Sequence, residues 1–267
     1  MHSILNFLNI LLLFFLFQIN IIAQSPYSLE TGREIAIFGG GLILAAVDLK
    51  IIENTDTISI QELRTLSRNN VNSFDRGATY NWSPQAADWS DILLITSIAS
   101  PLLLFSSSAV RDDAGTYLTM YLQNILTTYS VSHLPKAMIS RYRPYSYNDE
   151  IDDEIRSRPG ATLSFFSAHT SVSFASAVFL STTFSKYNPD SNLTPYIWGT
   201  TLLIATAVGY LRYTSGQHFP TDIITGAIVG SVIGFLIPLI HESEKEKQLV
   251  APAGNPYNNL ISFNIKL

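Results

Sequence analysis

Cysteine is absent from this 267-residue chain, which excludes disulfides, thiolate metal sites and a cysteine nucleophile. No glycine-rich Walker loop and no HExxH zinc pattern occur, so the sequence gives no ground for those nucleotide or metal chemistries. Charge is scarce: Asp, Glu, Lys and Arg make up 14% of the chain, against about 25% in a typical soluble domain. The net charge of −5 offers no reason to expect nucleic-acid binding. No internal repeat is visible, and the length fits one domain. What the chain does have is apolar surface, 47% of its residues, and that balance points to a polytopic membrane protein.

The apolar run Ile4 to Ile22, closed by Ala23-Gln24-Ser25-Pro26, reads as a secretory signal peptide cleaved after Ala23, or as an uncleaved first anchor. Either reading sends the chain to the cell envelope. Six further apolar segments follow: Ile35–Val47, Ile92–Val110 with a kink expected at Pro101, Tyr117–Leu134, Phe165–Phe184, Tyr196–Leu211 and Ile223–Ile240. The last carries Gly226, Gly230 and Gly234 on one helix face, a spacing suited to a packing seam. The expected organisation is a leader or anchor over 1–23, an N-terminal helix and polar connector over 24–90, a helical bundle over 91–241, and a charged, turn-rich tail over 242–267. The connector Glu53–Ser90 should hold short surface helices, the acidic stretch within Tyr145–Arg158 a solvated loop, and Leu260–Leu267 a short strand. The fold class is all-α, a polytopic membrane bundle of about six helices.

Three short stretches at the ends of these segments collect groups suited to phosphate. Lys136 and Arg143 are seven residues apart, which returns a helix to within about 20° of the same face, provided the helix runs to the residue before Pro144. A lysine point charge and a planar guanidinium could then meet one anion, or simply complement the helix dipole. Ser167-Ala168-His169 opens a long apolar run, where free backbone N–H groups make an anion site. Ser167 can cap that helix and donate its hydroxyl, and His169 can act as acid or base; a plain cap with an interfacial histidine is the alternative. Arg212 ends one segment, and His218 and Asp222 flank Pro220 at the start of the next. A carboxylate four residues from an imidazole can hold one ring nitrogen and leave the other as a nucleophile. Asp222 could also be a favourable helix N-terminal charge, but such a crowd of ionised groups between apolar helices points to function.

Taken together, Lys136-x6-Arg143-Pro144, Phe166-Ser167-Ala168-His169 and Arg212-x5-His218-x3-Asp222 resemble the type 2 phosphatidic acid phosphatase / vanadium haloperoxidase superfamily, whose pattern is K-x6-R-P, P-S-G-H and S-R-x5-H-x3-D. The resemblance covers Lys136–Asp222, roughly a third of the chain. It implies that His218 is the nucleophile forming a phosphohistidine, Asp222 its orienting partner, and His169 the acid for the leaving group. It further implies that Lys136, Arg143, Ser167, Arg212 and the Ala168 backbone N–H cradle the phosphoryl oxygens, with no metal and no cofactor. Three positions depart from the pattern: Phe166 stands for proline, Ala168 for glycine and Leu211 for a small residue. If the backbone at Ala168 needs positive φ or close phosphate approach, its methyl group would interfere.

The function this implies is a membrane-bound phosphatase for a lipid phosphate or pyrophosphate monoester: phosphatidic acid, phosphatidylglycerol phosphate, undecaprenyl pyrophosphate or a lipid A phosphate. The alternatives are a secreted acid phosphatase of the same superfamily, a vanadate-dependent haloperoxidase, and a non-enzymatic membrane transport or scaffold protein. Partners are the lipid substrate and membrane lipids, with no nucleic acid; the sequence is silent on oligomeric state. Sidedness follows from helix parity. With the leader cleaved and Ile35–Val47 too short to span, the site faces the periplasm from an inner membrane; if that segment spans, the site faces the cytoplasm.

Overall fold

The structure, a computed structural model, describes residues 25–53 and 57–243. The leader, the bulk of the C-terminal tail and Leu260–Leu267 lie outside the described residues. Regular structure among the described residues is helical, with isolated bridges at Tyr27–Glu242 and Arg141–Leu163. Six helices among the described residues have sixteen residues or more: α1 Thr31–Glu53, α2 Pro84–Ala99, α3 Ala114–Met138, α4 Ala168–Tyr187, α5 Thr194–Thr214 and α6 Pro220–Ile240.

The chain reverses at every connection, so the helix ends fall into two groups. The start of α1, the start of α3 and the ends of α4 and α6 meet at one end: Glu34 Oε2 accepts from Gln123 Nε2 at 2.6 Å and faces His241 Nε2 at 2.9 Å, and Lys186 pairs with Glu242 at 2.8 Å. The starts of α2, α4 and α6 and the ends of α3 and α5 meet at the other. All three phosphate-suited stretches are at that second end.

Helix α4 is the centre of the bundle and packs against α2, α3, α5 and α6. Of its buried residues, Thr170, Ser171, Ser173, Ser176, Ser181 and Thr183 are hydroxylic and small. Small side chains let neighbouring backbones approach closely. Helix α6 exploits this most: a Cβ on Gly226, Gly230 or Gly234 would stand 2.7, 2.0 or 2.5 Å from the carbonyl oxygens of Ser167, Ser171 and Ala175. The glycine stripe is a seam that docks α6 onto the backbone of α4, starting at the site residue Ser167.

The outer faces are apolar instead. Ile224, Ile228, Val232 and Phe235 of α6 are exposed, as are Ile92 and Ile95 of α2 and Leu102 and Leu103 just beyond it. Soluble monomers seldom expose contiguous apolar surface beyond a few hundred Å². Among the described residues, two stretches, Pro84–Ser106 (23 residues) and Pro220–Ile240 (21 residues), are long and apolar enough to cross a membrane.

Local chemistry moved several boundaries. Helix α2 starts at Pro84, ahead of the apolar run, because Ser83 caps Ala86 N and proline suits the first helical position. Its α-helical part stops at Ala99, and Ser100–Ser106 continues as a 3-10 helix around Pro101. The connector before α2 holds the short helices Ile60–Leu63, Arg68–Asn70 and Arg76–Tyr80. The apolar run Ile35–Val47, too short to span by itself, is part of the 23-residue α1, about 34 Å long at 1.5 Å per residue. The helix is thus longer than the apolar run on which the parity argument turned, though α1 is not among the stretches apolar enough to cross a membrane. Helix α3 ends at Met138, so Lys136 and Arg143 do not share a helix face: Arg143 is extended, as a residue before proline tends to be.

Candidate active site

The segment 141–143 is extended and pairs with 161–164: Arg143 N donates to Ala161 O at 2.7 Å and Arg141 N to Thr162 O at 2.9 Å. Side chains alternate along an extended segment, so Arg141 and Arg143 share one side and Tyr142 takes the other, where its hydroxyl meets Glu62. That alternation, not a helix turn, aims Arg143 at the site. Its Nη1 donates to Gln217 O at 3.1 Å and stands 3.4 Å from His218 Nε2. Its Nε donates to Gly160 O at 3.0 Å.

His218 follows a tight turn after α5. Gly216 has φ +70°, and a Cβ there would stand 2.2 Å from Asn81 O, so only glycine fits. An arginine donor facing Nε2 favours the tautomer with the lone pair on Nε2 and the proton on Nδ1. Nδ1 faces Asp222 Oδ2 at 3.6 Å, an ion-pair separation rather than a hydrogen bond. Burial, then the charges of Arg143, Lys136 and Arg212, hold the His218 imidazole well below its usual value. The ring is therefore neutral with a free nitrogen, as a nucleophile must be.

Asp222 is completely buried and held by groups the motif does not contain. Its Oδ2 accepts from Phe219 N at 2.9 Å and Ser164 Oγ at 2.6 Å, and its Oδ1 from Arg141 Nη1 at 2.5 Å. Arg141 also donates to Asp75 Oδ2 at 2.7 Å and stacks over Phe219, 4.2 Å from the ring centre. Burial alone would raise the Asp75 carboxyl, but bonds from Asn72, Thr221 and Arg141 outweigh it and keep the pKa low. Arg141 thus bridges two buried carboxylates. Removing one partner of a buried pair costs about 3 to 5 kcal/mol. Arg141→Gln should lower the stability of the purified protein by about 3 kcal/mol, read as the shift in a thermal or denaturant unfolding midpoint in detergent.

The remaining groups converge from helix ends. Lys136, in the last turn of α3, gives two of its three Nζ protons to Phe166 O at 2.7 Å and Leu163 O at 3.0 Å, leaving one for an anion. Ser167 caps α4, accepting from Thr170 N at 3.3 Å and Thr170 Oγ1 at 2.9 Å, so its own proton is available to a phosphate oxygen. Arg212 Nη1 donates to Ser90 Oγ at 3.1 Å, while its buried Nε has no partner among the described residues. His169 Nε2 faces Asp91 Oδ1 at 2.9 Å. Ala168 is the first residue of α4, and no described residue other than glycine has positive φ. The backbone therefore asks for no glycine at Ala168 on account of φ.

Lys136, Arg143, Ala168, His169, Arg212 and His218 line one cleft of about 550 Å³, with Ser167 buried beside them and Asp222 behind His218. Its other walls are mainly apolar, from Leu94 and Ile98 of α2, Leu122 and Leu126 of α3 and Val172 of α4, with Tyr129 and His133 of α3 beside them. The sequence motifs contained none of Arg141, Ser164, Asp75 and Asp91. Arg141 could have been found from its two-residue spacing to Arg143 in an extended segment; the others depend on tertiary contacts.

The family model for the PAP2 superfamily matches residues 116–246, a stretch that holds all three motifs. A lipid A 4'-phosphatase of Porphyromonas gingivalis is 26% identical over 169 residues, 62% of this chain and 67% of that protein. The bacitracin transport permease protein BcrC of Bacillus licheniformis is 30% identical over 135 residues, 45% of this chain and 59% of that protein. Among solved structures, a transmembrane PAP2-type phosphatidylglycerolphosphate phosphatase from Bacillus subtilis aligns with a TM-score of 0.48 at 18% identity, covering 83% of this chain and 98% of that one. On its motifs and on the family match, this chain belongs to the PAP2 superfamily.

Proposed function

We propose that this protein is an integral-membrane phosphatase that hydrolyses a lipid phosphate or pyrophosphate monoester through a phosphohistidine. One observation carries the reading: the cation cradle shares one cleft with an apolar wall from α2, α3 and α4. A headgroup phosphate at Lys136, Arg143 and Arg212 would leave its hydrocarbon against Leu94, Ile98 and Leu126. The exposed apolar faces of α2 and α6 favour this over a secreted acid phosphatase.

In the first step His218 Nε2 attacks phosphorus as the ester P–O bond breaks, and His169 gives a proton to the departing oxygen. In the second, water attacks the phosphorus, His169 takes a proton from it, and the N–P bond breaks to release inorganic phosphate and restore His218. Lys136, Arg143, Arg212, the Ser167 hydroxyl and the Ala168 N–H hold the equatorial oxygens, where charge is spread in the transition state. These side chains supply the positive charge that a metal would otherwise provide, so we propose a metal-independent reaction. Phosphate release from phosphatidic acid, phosphatidylglycerol phosphate, an undecaprenyl pyrophosphate and a lipid A phosphate, each in detergent micelles with excess chelator, tests it. Turnover of at least one lipid is expected; release from soluble esters alone would favour the acid phosphatase.

The pH dependence has a definite sign. The ordinary histidine value is 6.5, and burial with three neighbouring cations lowers that of His218. Protonation would remove the attacking lone pair, so the nucleophile persists as pH falls through 6.5. Loss of kcat/KM from His218 protonation should begin only well below that pH, measured on the free enzyme with a lipid of constant ionisation.

Sidedness reduces to one relation. Tyr27 and Glu242 pair at the end opposite the site, so with all six helices crossing, the site lies on the opposite face of the membrane from Tyr27 and Glu242. A periplasmic site then requires a cytoplasmic Tyr27, which a leader cleaved after Ala23 would not give. Because the chain has no cysteine, single cysteines placed at Asp152 and Ser28 and labelled in intact cells decide between the faces.

A further inference from the structure

Beside the cleft lies a second pocket of about 520 Å³, where Asp88, Asp91, Arg158 and Gln217 stand among apolar residues such as Trp82 and Ile95. His169 and Arg212 border both spaces, while Asp91 borders only the second. Asp91 therefore meets the imidazole from the side away from the apolar cleft. Its Oδ1 is 2.9 Å from His169 Nε2 and 3.5 Å from Arg212 Nη1, and the adjacent Ser90 Oγ accepts from the same Arg212 nitrogen at 3.1 Å. Two consecutive residues of α2 are thus docked on two residues of the site. Asp91 lies well outside the matched residues 116–246 and outside all three motif stretches.

The arrangement has a chemical consequence. A carboxylate at one imidazole nitrogen fixes which nitrogen carries a proton and stabilises the doubly protonated ring. We propose that Asp91 is a positioning residue for phosphoryl transfer: it holds Nε2–H of His169, so that Nδ1 delivers its proton to the departing oxygen. The P–O bond breaks, the proton passes from Nδ1 to that oxygen, and His169 is left neutral with Nε2–H still on Asp91. The two histidines would then each be backed by a carboxylate, His218 by Asp222 and His169 by Asp91. The bland alternative is an ion pair that only holds α2 against α5.

This inference rests on the phosphatase reading, and the test separates the two. An alkyl alkoxide needs a proton to leave, whereas p-nitrophenolate does not. The kcat/KM of wild type, Asp91→Asn, Asp91→Glu and the control Asp88→Asn is compared on a lysophosphatidic acid and on p-nitrophenyl phosphate. Asp91→Asn, nearly isosteric, should lose at least about tenfold on the alkyl phosphate and less than about threefold on the aryl phosphate. Asp91→Glu should recover part of the alkyl loss, and Asp88→Asn should match wild type on both. Equal losses on both substrates, or no loss on either, would overturn the positioning role while leaving the phosphatase reading intact. A wild-type protein active on neither ester nor on the lipid panel would overturn both.

Discussion

Replacing His218 with alanine is expected to reduce lipid-phosphate turnover by on the order of 10⁴-fold or more, the scale seen when a nucleophile acting as part of a unit is removed. Its surroundings allow no substitute. Nε2 is the unprotonated nitrogen near the cations: Arg143 faces it at 3.4 Å, while the other two imidazoles on the cleft are held elsewhere, His169 by Asp91 and His133 by Tyr129 O at 2.9 Å. Lys136 has two of its protons on backbone carbonyls and stays a charge, not a nucleophile. The fold should tolerate the change. Nδ1 of His218 makes no hydrogen bond among the described residues, so its loss strands no bonded partner there. Unchanged helical circular dichroism and gel-filtration profile, with turnover at background, are the expected results. His169→Ala should be milder on activated aryl phosphates than on alkyl ones, because only the alkyl leaving group needs the proton.

The largest structural effect should come from a residue with no chemistry. Gly230→Leu places a Cβ 2.0 Å from Ser171 O and 2.8 Å from its carbonyl carbon, with the rest of the side chain to follow. Both atoms belong to the backbone of α4, which is packed on four sides and has no rotamer to change. Overpacking a tight core usually costs about 1 to 3 kcal/mol, and a backbone-to-backbone seam belongs at or beyond the upper end. Because Gly226 of the same seam lies against Ser167 O, separating the helices also pulls the α4 cap away from Asp222 and His218. Gly230→Leu is therefore expected to lose both the cooperative thermal transition in detergent and all activity. Gly199, where an added Cβ would meet nothing within 4 Å, should accept alanine without either loss.

The site was more legible in the sequence than the boundaries were. His218, Asp222, His169 and the cations carry chemistry that is costly among apolar helices, so residue type and spacing sufficed to single them out. The means of convergence was misread for Arg143. A seven-residue spacing on a helix and an alternating extended segment both bring it near Lys136, and Pro144 decided for the second. Ser164 and Asp75 were invisible because what selects them is the hydrogen bonding around a buried carboxylate, a property of the packed state. The extent of α1 was underestimated because its buried Glu34 and Asp48 broke the apolar run without ending the helix. In the Gly226–Gly230–Gly234 stripe, by contrast, sequence spacing and packing tell the same story.

The central claim is that a covalent bond forms between phosphorus and His218. A ³²P-labelled lipid phosphate mixed with the enzyme and quenched within milliseconds in alkali tests it directly, since phosphohistidine survives alkali and is lost in acid. The account predicts an acid-labile, alkali-stable label on the peptide that contains His218 and absent from His218→Ala; with ³²P-labelled p-nitrophenyl phosphate, whose leaving group needs no proton, the label should accumulate in His169→Ala, where the water step is slowed. An active enzyme that carries no such label, or carries it on another residue, would contradict it.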